Sequence, residues 1–267
     1  MKYTILLILT AVHLMAGLIK APVISVDEEA QKIQITIPQL QQGMSGYIVH
    51  HITPEHSAIL KSVVVEAYDP STKTATLKMS DFDALRNNSL PYGKWKVAKG
   101  DTVELAFGYS RALLVAPSEA LYHRISKSVH VQWIHPDLFA TVLSFNGHPT
   151  PLKEDFVKFA NALSVGLVFI YLDQKLYTVD SKSFAILSIT DAPLEQKSEQ
   201  TPFYTRVKKI DAAWWGEGSS EMDAYAPHYY ELLVQNNKKN KALYEIVKNA
   251  KEEQVRELTS EFEIGKE

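Results

Sequence analysis

Apolar residues are densest between Val165 and Ile189, which reads VGLVFIYLDQKLYTVDSKSFAILSI. The first part, Val165 to Leu172, carries no charge. It is too short for a buried helix and rich in strand formers, so it predicts a strand covered on both faces. Asp173-Gln174 and Ser181-Lys182 interrupt at turn-like positions, which predicts three short strands in a row. Such a meander is the natural centre of the second half of the chain, with flanking helices over it.

Upstream the pattern has period two. Val23–Val26 and Lys32–Ile37 bracket the polar Asp27-Glu28-Glu29, and Ile33, Ile35 and Ile37 alternate as a half-buried strand should. Gly43–Ile52 predicts another strand. Ser62–Tyr68 and Thr74–Met79 flank Asp69-Pro70-Ser71-Thr72-Lys73, a hairpin signal. Ser80-Asp81 predicts the cap of a short helix over Phe82 and Leu85. Val103–Phe107 and Arg111–Val115 follow the Lys99-Gly100-Asp101 turn. These short strands predict an antiparallel barrel or sandwich.

Beyond Pro117 the texture mixes. Ser118–Ser126 predicts a helix with Leu121 and Ile125 on one face, and Val129–Ile134 a strand. Pro136 opens a helix that Gly147 ends. Thr150 is expected to cap a helix with Pro151 in its first turn and Phe156, Phe159 and Leu163 as its stripe. Past the meander come a polar loop over Ala192–Gln200, an expected strand over Thr201–Ile210 and a flexible Gly216–Ser220. Helix is expected from Tyr225 onward, aromatic at Tyr229 and Tyr230, then charged, with Leu243, Val247, Ala250 and Leu258 as a weak stripe. The fold class is therefore α+β. Residues 1–17 form a signal peptide, 18–115 a β-rich barrel- or sandwich-like domain and 116–215 an α+β domain. Residues 216–267 are a linker and charged helical tail.

Composition sharpens this. The 267 residues are 46% hydrophobic and 22% charged, ordinary for a globular protein. A net charge of -3 gives no field that would attract nucleic acid. Cysteine is absent, which removes disulfides, thiolate nucleophiles, cysteine-ligated zinc and a lipoprotein attachment site. Met1-Lys2 followed by the apolar run Tyr3–Ile19, with small residues Ala16 and Gly17, predicts a secretory signal. The alternative is an uncleaved anchor, which would be the chain's contact with a membrane. Either way the expected location is outside the cytoplasm: periplasm, outer membrane or cell surface.

No constellation predicts catalysis, a metal or a cofactor. His50, His51 and His56 are close in sequence, but neighbouring strand residues point to opposite faces. His130 and His135 read as ordinary polar positions. Gly43-Met44-Ser45-Gly46 is like a nucleophile elbow only up to Tyr47, where that motif needs glycine. Trp214-Trp215 either plugs the core or presents a contact surface, and packing is the expectation. From Asn236 to Glu267, seven basic residues face seven acids, as on a solvated helix.

Several segments carry a family resemblance: Ala116-Pro117-Ser118-Glu119-Ala120-Leu121-Tyr122, Trp133-Ile134-His135-Pro136-Asp137-Leu138, Leu163–Tyr171, Ser183–Leu187, Thr201–Val207 and Ile210-Asp211-Ala212. In this order and spacing, from Val23 to Val234, the chain resembles the N-terminal domain of the plasminogen-binding proteins of epsilon-class Gram-negative bacteria. The resemblance implies an exported, envelope-associated protein without enzymatic activity in this domain, and plasminogen as partner. Members of the family carry a lysine-rich extension that ends in lysine. Kringle modules grip such a lysine by its ammonium and terminal carboxylate across an aromatic floor. Here the sequence ends Gly265-Lys266-Glu267, so internal lysines would have to serve. The expected contact residues are Lys238, Lys239, Lys241, Lys248, Lys251 and Lys266, with Trp214 and Trp215. Lys241 with Glu245, or Lys248 with Glu252, sets a cation one helical turn from an acid. The alternative is a periplasmic scaffold or assembly module touching other envelope proteins through the β-rich domain and the tyrosine-rich helix. A hydrolase with an unrecognised site is a distant third.

Overall fold

Alternation of buried and exposed positions builds the first half of the molecule. The computed structural model describes residues 17–82 and 95–265. The expected signal segment up to residue 16, the short helix expected over Leu85, and Lys266 lie outside them. Strands β1 (Ile19–Asp27), β2 (Lys32–Thr36), β3 (Ser45–His51), β4 (Ser57–Asp69), β5 (Thr74–Asp81) and β6 (Thr102–Leu105) close an antiparallel barrel in the order β1-β2-β5-β4-β3-β6. Ser80 and Asp81, expected to cap a helix, are instead the last rungs of β5, opposite Ser62 and Lys61. Every second residue points inward, among them Ile33 and Ile35, Val63 and Val65, and Ala75 and Leu77. Closure depends on β1 serving two partners. Ile19–Pro22 pairs with β6, and from Val23 the strand pairs with β2. Gly46 permits the tight β3–β6 approach, since a Cβ there would sit 2.1 Å from the Glu104 carbonyl oxygen.

Next come β7 (Arg111–Val115), α1 (Glu119–Ser128), β8 (Gln132–Ile134), α2 (Pro136–Asn146) and α3 (Lys153–Leu163). The meander β9 (Leu167–Leu172), β10 (Lys175–Asp180) and β11 (Ile186–Asp191) follows. The second sheet has the order β11-β10-β9-β7-β8, with β7 parallel to both neighbours. Pairing therefore passes from barrel to second sheet between Leu105 and Arg111. All six residues of β9 are buried, as its uncharged run predicts, and they divide between two cores. Leu167, Phe169 and Tyr171 join a core continuous with the barrel interior. Val168, Ile170 and Leu172 join the second core, which also holds the buried faces of α2, α3 and α4. This sheet is the shared wall of the molecule.

Two expectations fail for polar reasons. Thr201–Ile210 forms no strand. Pro202, Phe203, Tyr204 and Thr205 are buried in succession rather than alternately. Asp137 at the start of α2 takes over the backbone, accepting from the Arg206 N–H at 2.8 Å, with Thr205 Oγ1 at 2.9 Å and Arg206 Nε at 2.7 Å beside it. Thr150 does not cap α3; its hydroxyl donates to the Ser220 carbonyl at 2.7 Å. Leu152 is the N-cap, and Asp155 accepts its N–H at 2.9 Å.

The C-terminal helices α4 (Tyr225–Asn236), α5 (Lys241–Lys248) and α6 (Glu253–Glu257), with a 3-10 turn at Leu258–Glu261, pack on the outer face of the second sheet. Leu243, Val247, Val255 and Phe262 are buried there, so these helices complete a core rather than extend into solvent. Tyr225 and Tyr229 on α4 are buried; the single Tyr225 hydroxyl proton lies between the Val115 and Tyr171 carbonyls, each 3.1 Å from its oxygen, and the Tyr229 hydroxyl donates to the Pro202 carbonyl at 2.8 Å. These tyrosines are therefore structural, and the exposed positions of α4 are Glu231 and Gln235.

Barrel and sheet meet at one buried carboxyl group. Asp180, at the end of β10, accepts from Ser45 N at 3.0 Å, Ser45 Oγ at 2.7 Å and Tyr109 OH at 2.8 Å on one oxygen. Its other oxygen accepts from Lys182 N at 2.9 Å and Ser183 N at 2.8 Å. Two residues on, the Lys182 ammonium lies 3.9 Å from the centroid of the Tyr47 ring on β3. Burial lowers this ammonium from 10.5 to about 8. Between those values the unfolded chain holds the proton that the folded chain has lost, so stability rises with pH there. For Lys182→Met, urea unfolding is expected to show a gain between about pH 7.5 and 9.5 that is smaller than wild type by about 2 kcal/mol. Lys153, also lowered by burial, acts with the same sign in both proteins and cancels in the comparison. Above pH 10 the trend reverses, because burial holds the Tyr109 and Tyr230 phenols above the ordinary range.

Candidate functional site

The polar groups singled out in the sequence mostly have structural work. His50 Nδ1 lies 2.7 Å from Asp101 Oδ1, beside the turn that leads into β6. His51 is exposed, and His56 closes a turn with Thr53. His135 caps α2, its Nδ1 accepting from the Asp137 N–H at 3.2 Å. Ser45, from the elbow-like glycine pair, is buried and gives its hydroxyl proton to Asp180, joining the two sheets.

Of the expected contact lysines, Lys239, Lys241, Lys248 and Lys251 are exposed and Lys238 is half-buried. Lys248 Nζ is 5.9 Å from the Tyr244 ring centroid. The expected Lys248–Glu252 turn is broken, because α5 ends at Lys248 and Glu252 is the N-cap of α6. Lys175 and Lys251 line a groove of about 720 Å³ with Asp173, Glu195, Glu199, Glu245 and Glu252. Burial, then Asp173 and Glu199, raise the Glu252 carboxyl, so Lys251 sits in an acidic field. Lys241 precedes Glu245, which also lines this groove. They stand one turn apart on α5, both exposed, and neither side chain has a salt bridge among the described residues.

The tryptophan pair does not pack. Trp214 is 98% exposed and Trp215 82%, and Phe145 on α2 is 92% exposed. Folding sets them along one edge. Ala213 N donates to the Gly147 carbonyl at 2.8 Å, and Asp211 N to Ser144 Oγ at 3.1 Å. Gly147 ends α2 in the left-handed region at φ 74°, and a Cβ there would stand 2.5 Å from Ala213 N. Residues 211–213 are thus clipped to the end of α2, and the tryptophans follow directly. Phe145 has a signal in the sequence: the buried stripe of α2 is Phe139, Ala140 and Leu143, and position 145 lies off it. The acidic groove carried none, since its carboxyl groups come from four separate stretches of chain.

Comparison with known proteins gives a consistent result. The family model described as Plasminogen-binding protein pgbA N-terminal matches residues 18–233. Plasminogen-binding protein PgbA of Helicobacter pylori strain ATCC 700392 / 26695 is 29% identical over 219 residues, covering 80% of this chain and 47% of that protein. The protein of the same name from strain J99 / ATCC 700824 is 28% identical over 225 residues, covering 82% and 48%. The chain thus spans about half the length of the curated relatives it matches. No solved structure matches it. Trp214, Trp215 and Phe145 fall within the matched region, and the lysines of α5 fall beyond it.

Proposed function

The chain belongs to the family of the plasminogen-binding protein PgbA N-terminal domain, and from that premise we propose that it is an exported, non-enzymatic envelope protein that binds host plasminogen through surface lysine. The observation that carries this reading is the Lys241–Glu245 pair on α5. A lysine-binding kringle needs an ammonium and a carboxylate at a fixed separation, neither neutralised by another partner. An exposed cation and acid one helical turn apart offer that arrangement without a chain terminus. Their backbone is held rigid because Leu243 and Val247, on the opposite face of α5, are buried. The apolar Tyr3–Ile19 run supports export, which cell fractionation and sequencing of the mature N-terminus would test.

A second reading rests on Phe145, Trp214 and Trp215. Three aromatic side chains held out into solvent at one edge are the kind of anchor that buries deeply in a protein interface. On this reading the domain is an envelope assembly module. Binding of purified chain to immobilised plasminogen tests the first reading, and no binding by a folded chain would favour the second. The double variant Lys241→Ala/Glu245→Ala is expected to weaken binding at least about tenfold, and Trp214→Ala/Trp215→Ala to leave it unchanged. The reverse pattern would transfer the contact to the aromatic edge.

A further inference from the structure

Helix α1 lies over the barrel-side face of the second sheet but does not seal it. Between its last turn and the β10–β11 hairpin there is a cavity of about 400 Å³. Its floor is Ile125, Leu176 and Leu194, all buried, with Val129 and Ala192 as walls. The rim is cationic. Arg124 and Lys127 stand three residues apart on α1, on one face, and both are exposed. Neither has an ion pair among the described residues: the acid of α1, Glu119, faces His123 at 3.5 Å, and Asp191 on the opposite lip holds Lys175 at 2.6 Å. An apolar hollow of this size falls within the range of small-ligand sites, where a few polar groups fix orientation.

We propose that this cavity binds a free, single-chain amphipathic anion, with the acyl chain on Ile125, Leu176 and Leu194 and a carboxylate head held at the rim by Arg124 and Lys127. The charge arrangement selects the head. Two unneutralised cations side by side favour an anion, and a guanidinium matches a carboxylate in two parallel hydrogen bonds. The apolar floor selects the tail, which gains by leaving water.

Isothermal titration of the full chain with decanoate, below its micelle concentration, and with 1-decanol tests this. Wild type is expected to bind one equivalent of decanoate. Arg124→Ala/Lys127→Ala changes only exposed side chains, so its melting curve should match wild type. It is expected to lose decanoate affinity at least about tenfold while keeping decanol affinity within about twofold. Val129→Trp, which fills the cavity, is expected to lose both ligands. Failure to reach a one-to-one plateau, equal weakening of both ligands in the double variant, or unchanged decanoate binding in either variant would overturn the proposal.

Discussion

Replacing Asp180 with Ala is expected to cost about 3–5 kcal/mol of stability in urea unfolding, enough to leave the protein marginal. The loss is not one of volume. Five donors from four residues converge on this buried side chain, and Ser45 and Tyr109 reach it from the barrel side. With the carboxyl group gone, the Ser45 and Tyr109 donors stay buried without acceptors, and each unsatisfied group carries its own desolvation penalty. Asp180→Asn keeps the shape yet places an amide N–H₂ against donors on at least one side. It is expected to recover only part of the loss. Ser45→Ala removes a single donor and should cost about 1 kcal/mol. An Asp180→Ala protein within about 1 kcal/mol of wild type would mean that the junction does not hold barrel and sheet together.

Gly166→Ala is expected to be as severe, at about 3 kcal/mol or more, or to prevent soluble expression. Gly166 lies just before β9, where the chain crosses the Gly108 turn. Its N–H donates to the Gly108 carbonyl at 2.9 Å. A Cβ there would come within 2.4 Å of the Gly108 carbonyl carbon and 2.5 Å of Tyr109 N. Those are backbone atoms, so no rotamer change relieves the clash. Gly46→Ala makes a comparable collision in the barrel wall and serves as the positive control. Gly100→Ala meets no atom within 4 Å, so any loss there would come from backbone strain at φ 98° alone. Thermal melting of the three variants would rank the effects. A Gly166→Ala protein that melts like wild type would contradict the packing at the crossing.

Much of the frame was legible because period-two alternation and uncharged runs report burial directly. Ile33 and Ile35 announced an inward strand face, and the uncharged run through Leu167–Leu172 announced a strand covered on both sides. Barrel closure was less legible, since it depends on β1 changing partner at Pro22 and Val23, which no local pattern encodes. Thr201–Ile210 looked strand-like because Phe203, Tyr204 and Val207 are strand formers. What decided its path was Asp137, far back in the sequence, taking its backbone N–H. The same limit hid Asp180, whose partner Ser45 is 135 residues away. The tryptophans misled for another reason. Large aromatic residues are usually buried, and only the clip between Ala213 and Gly147 turns Trp214 and Trp215 outward. On α5, Lys241 and Glu245 stand one helical turn apart, as their spacing predicts. Spacing could not foresee that the Lys248–Glu252 turn would break where the helix ends.

Binding of the purified chain to immobilised plasminogen, titrated with a free lysine analogue, tests the functional reading most directly. The expected result is saturable binding that the analogue abolishes and that Lys241→Ala/Glu245→Ala reduces at least about tenfold. Binding that persists at saturating analogue, or no binding by a correctly folded chain, would contradict it.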